Sequence, residues 1–151
     1  MTHCVLAIDQ GTTGTTALLL DKNVSVIAQA NVEFPNHYPE PGHVEHAGEE
    51  IWASVETAVT AALAKVSDVE IVAIGITNQR ETCLFWDAET GEAIHRALVW
   101  QDRRTADLCA DLKAAGHEDS VRSKTGLVLD PYFSGTKAKW LLDNVSGARP
   151  R

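Results

Sequence analysis

The chain has 151 residues, 44% of them hydrophobic and 23% charged, with a formal net charge of −8. That length suits one domain and crowds two. The acidic balance excludes a general nucleic-acid or anionic-membrane surface, which needs clustered Lys and Arg, although backbone N–H groups can still bind an anion locally. Cys4, Cys83 and Cys109 are widely spaced, with no CxxC, and read as small buried hydrophobes in a reducing compartment. No basic segment leads into an apolar run at the N-terminus, and no stretch reaches the ~18 apolar residues of a membrane span. A cytoplasmic protein is expected.

His3 to Asp9 and Thr15 to Asp21 read as strands, and Lys22-Asn23 as a tight turn into a third strand, Val24 to Phe34. Short links between them imply an antiparallel meander. Pro35 to Gly48 is a loop containing Pro35, Pro39, Pro41 and Gly42. Glu49 to Val66 is the clearest helix: Ile51, Trp52, Val55, Val59, Ala62, Leu63 and Val66 recur at helical spacing, and Glu49 and Glu50 oppose the dipole. Ile71 to Thr77 reads as a buried strand, reached by a crossover to a parallel neighbour.

Thr82 to Asp87 and Ala93 to Trp100 flank a hairpin-like turn at Ala88–Gly91. Helices follow at Thr105 to Ala115, Glu118 to Lys124 and Thr136 to Asn144, the last with Ser134 as N-cap. This order predicts an α/β fold with a mixed sheet flanked by helices.

Asp9-Gln10-Gly11-Thr12-Thr13-Gly14 joins the first two strands. Glycines allow a tight turn, successive N–H groups form a concave anion site, and the threonines add hydroxyl donors. Asp9 is placed to hold Mg²⁺ through water, since Mg²⁺ takes one or two carboxylates plus substrate oxygens. The loop lacks the Gly-Lys-Ser/Thr of a P-loop and the GxGxxG of a dinucleotide site. A plain β-turn is the other reading.

The apolar run Ile71 to Ile74 ends in Gly75-Ile76-Thr77-Asn78-Gln79-Arg80-Glu81. Ligands of open α/β sheets sit at the carboxyl ends of strands. Arg80 offers a fork of donors and Glu81 an acceptor-only carboxylate, a pair suited to neighbouring hydroxyls of a small polyol; a solvated surface pair is the alternative. Trp100, ending Leu98-Val99-Trp100, can cover the C–H face of such a ligand or simply fill a core. Tyr132, in Asp130-Pro131-Tyr132-Phe133-Ser134, pairs a ring with a hydroxyl and reads either way. His37, His43 and His46 lack fixed metal-ligand spacing and read as loop histidines. Arg103 and Arg104 read as packing or salt-bridge residues.

AIDQGTTGT, YPEPGHVEH, EIW, IGITNQRET, VWQDRRT and TGLVLDPYFSGTKAKWLLDNV, in this order and spacing, resemble the glycerol kinase branch of the FGGY carbohydrate kinases. The resemblance covers nearly the whole chain. It implies an actin-like ATPase (ribonuclease H-like) fold and ATP-dependent phosphorylation of glycerol to sn-glycerol 3-phosphate with Mg²⁺. By motif match Arg80, Glu81, Trp100 and Tyr132 contact glycerol, with Phe85 and Phe133 as support. Asp9, Gly11, Thr12, Thr13 and Gly14 lie at the nucleotide phosphates and metal. A full-length homo-oligomer, dimer or tetramer, is implied as well.

Two departures stand out. The family commonly has an arginine where this chain has Thr16. Family members are also several times longer, so residues 1–151 are expected to be an incomplete N-terminal portion of the first domain, cut near Gly147–Arg151. The general base and adenosine pocket are then expected beyond Arg151, leaving the fragment alone without turnover. Other readings are another small-polyol or sugar kinase of the family, an actin-like ATPase of the chaperone or filament type, or a non-catalytic lobe that self-associates.

Overall fold

The computed structural model describes residues 1–149; Pro150 and Arg151, at the expected cut, lie outside them. In chain order the elements are β1 (Thr2–Gln10), β2 (Gly14–Leu20), β3 (Val26–Glu33), β4 (Glu45–His46), α1 (Gly48–Leu63), β5 (Val69–Asn78), β6 (Ala97–Leu98), α2 (Ala106–Ala114), α3 (Glu118–Thr125) and α4 (Ser134–Asn144). They form two compact units. The first comprises Met1–Asn36 with Ala47–Gln79, the second His37–His46 with the chain from Arg80 onward.

The first unit is a four-stranded mixed sheet in the order β3-β2-β1-β5. The expected meander is present: β1 pairs antiparallel with β2 from Val5↔Leu20 to Gln10↔Thr15, and β2 with β3. Asp21 makes the β2–β3 turn possible, its carboxylate accepting the N–H groups of Asn23 at 2.8 Å and Ser25 at 2.9 Å. Those two bonds, Ser25 foremost, hold its carboxyl below the ordinary carboxylate range.

α1 then carries the chain across to β5, which runs parallel to β1. Its buried face is Ser54, Ala58 and Ala62, one turn apart each. These small residues let the helix approach Leu6, Ala17, Leu19, Ala28 and Ala30 on the sheet. Trp52, expected on that face, is 63% exposed, because two residues turn it about 200° away from Ser54. The hydroxyls of Thr15 and Ser54 meet at 2.7 Å in this core. Ser54 spends its own proton on the Ile51 carbonyl, so Thr15 is the donor between them.

β5 corrects a second expectation. It is not buried: Val72, Ile74 and Ile76 are 56%, 61% and 73% exposed. β5 occupies the edge of the sheet, and the core under α1 is built from β1, β2 and β3 with only Ile71 of β5 beside it.

In the second unit, part of the predicted Pro35–Gly48 loop forms β4, paired antiparallel with β6 at Glu45↔Leu98 and His46↔Ala97. The hairpin around Ala88–Gly91 closes through Asp87 N–H to Glu92 O (2.8 Å). Its arms meet as isolated bridges, Cys83↔Leu98 and Trp86↔Ala93, rather than as two long strands. α2 and α3 end at Gly116 and Gly126, whose φ of 81° and 74° suits glycine. Cys83, Leu98 and Leu141 form the core, flanked by Phe85, Ala138, Trp140 and Val145. The three cysteines are free and buried, as expected. No helix among the described residues is long and apolar enough to cross a membrane.

Candidate functional site

The Asp9–Gly14 loop leaves β1 and is fastened at its first peptide by two buried amide side chains. Gln10 Nε2 donates to Gly11 O at 2.7 Å. Gln79, just beyond β5, donates through Nε2 to both Gln10 Oε1 and Gly11 O at 3.2 Å, and its N–H bonds Gln10 O at 2.7 Å. Gly11 N–H to Gly14 O (2.9 Å) closes the turn, leaving Thr12 half-buried and Thr13 exposed at its tip. A Cβ on Gly14 would stand 2.8 Å from Val32 O. That glycine is required by the approach of β3, whatever binds on the open side.

Asp9 is exposed. Strand register aligns it with Thr16 on β2 and Thr77 on β5, and Thr16 with Asn31 on β3. Registered partners share a face, so a polar row crosses the sheet, tied by Asn31 Nδ2 to Thr16 Oγ1 at 2.8 Å. One solvent-facing carboxylate beside a hydroxyl-bearing backbone turn suits a water-coordinated Mg²⁺ on a phosphate chain, because Mg²⁺ needs few protein ligands. Among the described residues no three His, Cys, Asp or Glu gather as a dedicated metal cage, which extends to His37, His43 and His46.

In the second unit Glu81 adopts φ 65°, a left-handed conformation uncommon for a residue with a side chain. What holds it there is Ser134: Glu81 Oε2 accepts the Ser134 N–H at 2.9 Å and its Oγ–H at 2.7 Å. Ser134 is therefore the first residue of α4 and not its N-cap, which is Phe133. The Ser134 hydroxyl, first, then its N–H and the Lys137 ammonium hold the Glu81 carboxyl below the ordinary carboxylate value, against partial burial. The positive end of α4 points the same way.

Trp100 and Tyr132 meet edge to face, centroids 5.9 Å apart, and Phe133 stacks edge-on behind Tyr132 at 5.1 Å. Asp130 Oδ1 accepts the Tyr132 N–H at 2.8 Å and fixes this loop. Glu81, Trp100 and Tyr132 are thus linked within one unit through Ser134 and the aromatic contact, and Arg80 stands exposed next to Glu81 in the chain. Phe85 packs against the core. Arg104 is a salt-bridge residue, bonded to Asp102 and Glu45.

Four residues escaped sequence reasoning. Gln10, the last residue of β1, and Gln79, just beyond β5, carry no sequence sign of the amide pair they form. Ser134 was assigned the wrong helical position. Lys137 is fully buried and donates to Tyr132 O at 2.6 Å; its spacing of four from the core residue Leu141 was the available signal.

The N-terminal domain model of the FGGY family of carbohydrate kinases matches residues 4–151. The chain belongs to this family. Among curated relatives, it is 59% identical over 153 residues to glycerol kinase of Chelativorans sp. (strain BNC1), covering 100% of this chain and 31% of that protein. Against glycerol kinase of Bradyrhizobium sp. (strain ORS 278) it is 57% identical over 149 residues, covering 97% and 30%. The fold matches a crystal structure of Plasmodium falciparum glycerol kinase with ADP at TM-score 0.92 and 31% identity, over 99% of this chain and 30% of that one. The mixed α/β architecture is thus that of an actin-like FGGY N-terminal domain. The chain spans about 30% of the length of the curated relatives it matches.

Proposed function

We propose that this chain carries most of the glycerol site and part of the phosphate loop of an ATP-dependent glycerol kinase. The observation that carries the reading is the Glu81 carboxylate, kept ionised by Ser134 in the unit where Trp100 meets Tyr132. Glu81 accepts hydroxyl protons of a polyol, Arg80 donates to its oxygens, and the two rings cover its C–H face. Phosphoryl transfer asks mainly for positioning and charge stabilisation. Gln10 and Gln79 hold the turn for that purpose; Gly11, Thr12, Thr13 and Gly14 line the phosphates. Asp9 would hold Mg²⁺ through water, and the ion supplies charge neutralisation on the phosphoryl oxygens. A glycerol hydroxyl attacks the γ-phosphorus, its proton passes to a base, and ADP leaves.

No residue of this chain is assigned as that base, and on this reading the isolated chain binds glycerol without turning over. The test has two arms. Saturation-transfer NMR on the purified chain should detect glycerol, and Arg80→Ala should weaken that signal while leaving binding of Mg²⁺-triphosphate intact. Joined to the remaining sequence of the Chelativorans enzyme, residues 1–151 should support glycerol-dependent ADP release. Equal loss of both ligands in Arg80→Ala, or turnover by the isolated chain, refutes the corresponding assignment.

One observation favours a second reading, a self-associating lobe: the exposed apolar residues Val72, Ile74 and Ile76 on an edge strand. Size-exclusion chromatography over a concentration series separates monomer from assembly.

A further inference from the structure

Lys137 is the largest of the fully buried side chains, at 0% exposure. Burying an ammonium is costly, and a methionine of similar length would fill the same volume without a charge. Stability therefore gives no reason for a lysine there. Its surroundings do. Nζ donates to the Tyr132 carbonyl at 2.6 Å. Three residues earlier, on the same face of α4, Ser134 holds Glu81 Oε2 through both its N–H and its hydroxyl. One helical turn thus grips the carboxylate and the backbone of the aromatic wall together. The negative or ionisable groups acting on the ammonium are Glu81, Cys83, Asp102 and Asp130.

We propose that Lys137 is a positioning residue of the polyol site: its buried ammonium fixes the Tyr132 backbone one helical turn from the Ser134 that grips the Glu81 carboxylate, and so keeps both groups in one arrangement for a small polyol. This rests on the polyol reading above. Lys137 itself is sealed from solvent, so it acts through Tyr132, whose carbonyl it holds, and through its charge on Glu81.

The experiment uses the purified 151-residue chain and glycerol. In the wild type, the Lys137 ¹⁵Nζ resonance should exchange slowly with water and shift when glycerol saturates the chain. Lys137→Met, checked for folding by circular dichroism, should bind glycerol roughly tenfold more weakly, the scale of one charge-assisted hydrogen bond. Its affinity for Mg²⁺-triphosphate should be unchanged. A purely structural lysine would give no glycerol-dependent shift, and that result overturns the proposal, as does glycerol affinity within twofold of wild type in folded Lys137→Met. Should the variant fail to fold, the wild-type resonance decides alone. Absence of any glycerol signal in the wild-type chain overturns the polyol reading itself, and this proposal with it.

Discussion

Replacing Arg104 by methionine should destabilise the chain by about 3–5 kcal/mol, the usual loss when one member of a buried ion pair is removed. The side chains of Arg104, Asp102 and Glu45 are 3%, 0% and 8% exposed. The guanidinium donates through Nε to Asp102 Oδ1 at 2.9 Å, and through one terminal nitrogen to Asp102 Oδ2 at 2.9 Å and Glu45 Oε1 at 2.8 Å. It also lies 4.5 Å from the centre of the Trp140 ring, worth a further ~0.5–2 kcal/mol. In the variant Asp102 keeps two backbone donors, Val44 N–H and Arg104 N–H. Glu45 keeps, among the described residues, the distant His95 at 3.9 Å, so most of the penalty falls on Glu45 and the lower end of the range is expected.

Burial opposes the guanidinium charge, but the hydrogen bonds to Asp102 and Glu45 outweigh it and raise its pKa above the ordinary value. A raised folded pKa gives stability that is complete below the unfolded value and lost only above the folded one. Across neutral pH the contribution is therefore constant. Urea unfolding at pH 7, followed by circular dichroism, measures the loss as a lower midpoint at unchanged slope. Glu45→Gln in the same background should recover about 1–2 kcal/mol through coupling. A loss under about 1 kcal/mol for Arg104→Met would refute the argument, since that is the scale of an exposed pair.

Gly14→Ala should cost about 1–3 kcal/mol by overpacking, because the new methyl stands 2.8 Å from the Val32 carbonyl oxygen; thermal unfolding should register about 2–4 °C per kcal/mol. Ser134→Ala removes the leading cause of the lowered Glu81 pKa, so ¹³C NMR should find the Glu81 carboxyl titrating closer to its ordinary value of 4.5. A depressed carboxyl stabilises the fold above the unfolded pKa and loses that contribution as pH falls. The stability gap between wild type and Ser134→Ala should accordingly be full at neutral pH and close as the pH drops below that ordinary value. A gap independent of pH would place the effect elsewhere.

Period-two and period-3.6 patterning carried the strands and helices of the first unit almost to their ends, because those elements bury one apolar face each. It failed where burial depends on neighbours. Ile71 to Thr77 has the continuous apolar run of a strand covered on both faces, yet edge position leaves Ile74 and Ile76 in solvent. Trp52 fits the helical period in the sequence, but the contact stripe is set by the small residues Ser54, Ala58 and Ala62. β4 and β6, two residues each, fall below any periodicity. Of the candidate site, Glu81, Trp100 and Tyr132 were legible as chemistry-bearing types at strand ends and loop starts. Their supports were not: nothing local marks Ser134 as the partner of a residue 53 positions away, or Lys137 as a buried ammonium.

The decisive placement is topological. β1 and β5 run parallel and stay in register to their last residues, Asp9↔Thr77 and Gln10↔Asn78. Their carboxyl ends therefore emerge side by side, delivering the Asp9–Gly14 loop and the Asn78-Gln79 start of the NQRE segment to one end of the sheet. An antiparallel β5 would have sent that segment to the opposite end, about 30 Å away for strands of this length at ~3.3 Å per residue. The crossover helix α1 is what makes the parallel arrangement possible, and the Gln10–Gln79 pair fastens the two strand ends together once they arrive. A helix with no residue assigned to chemistry thereby determines which strand ends lie together in this sheet.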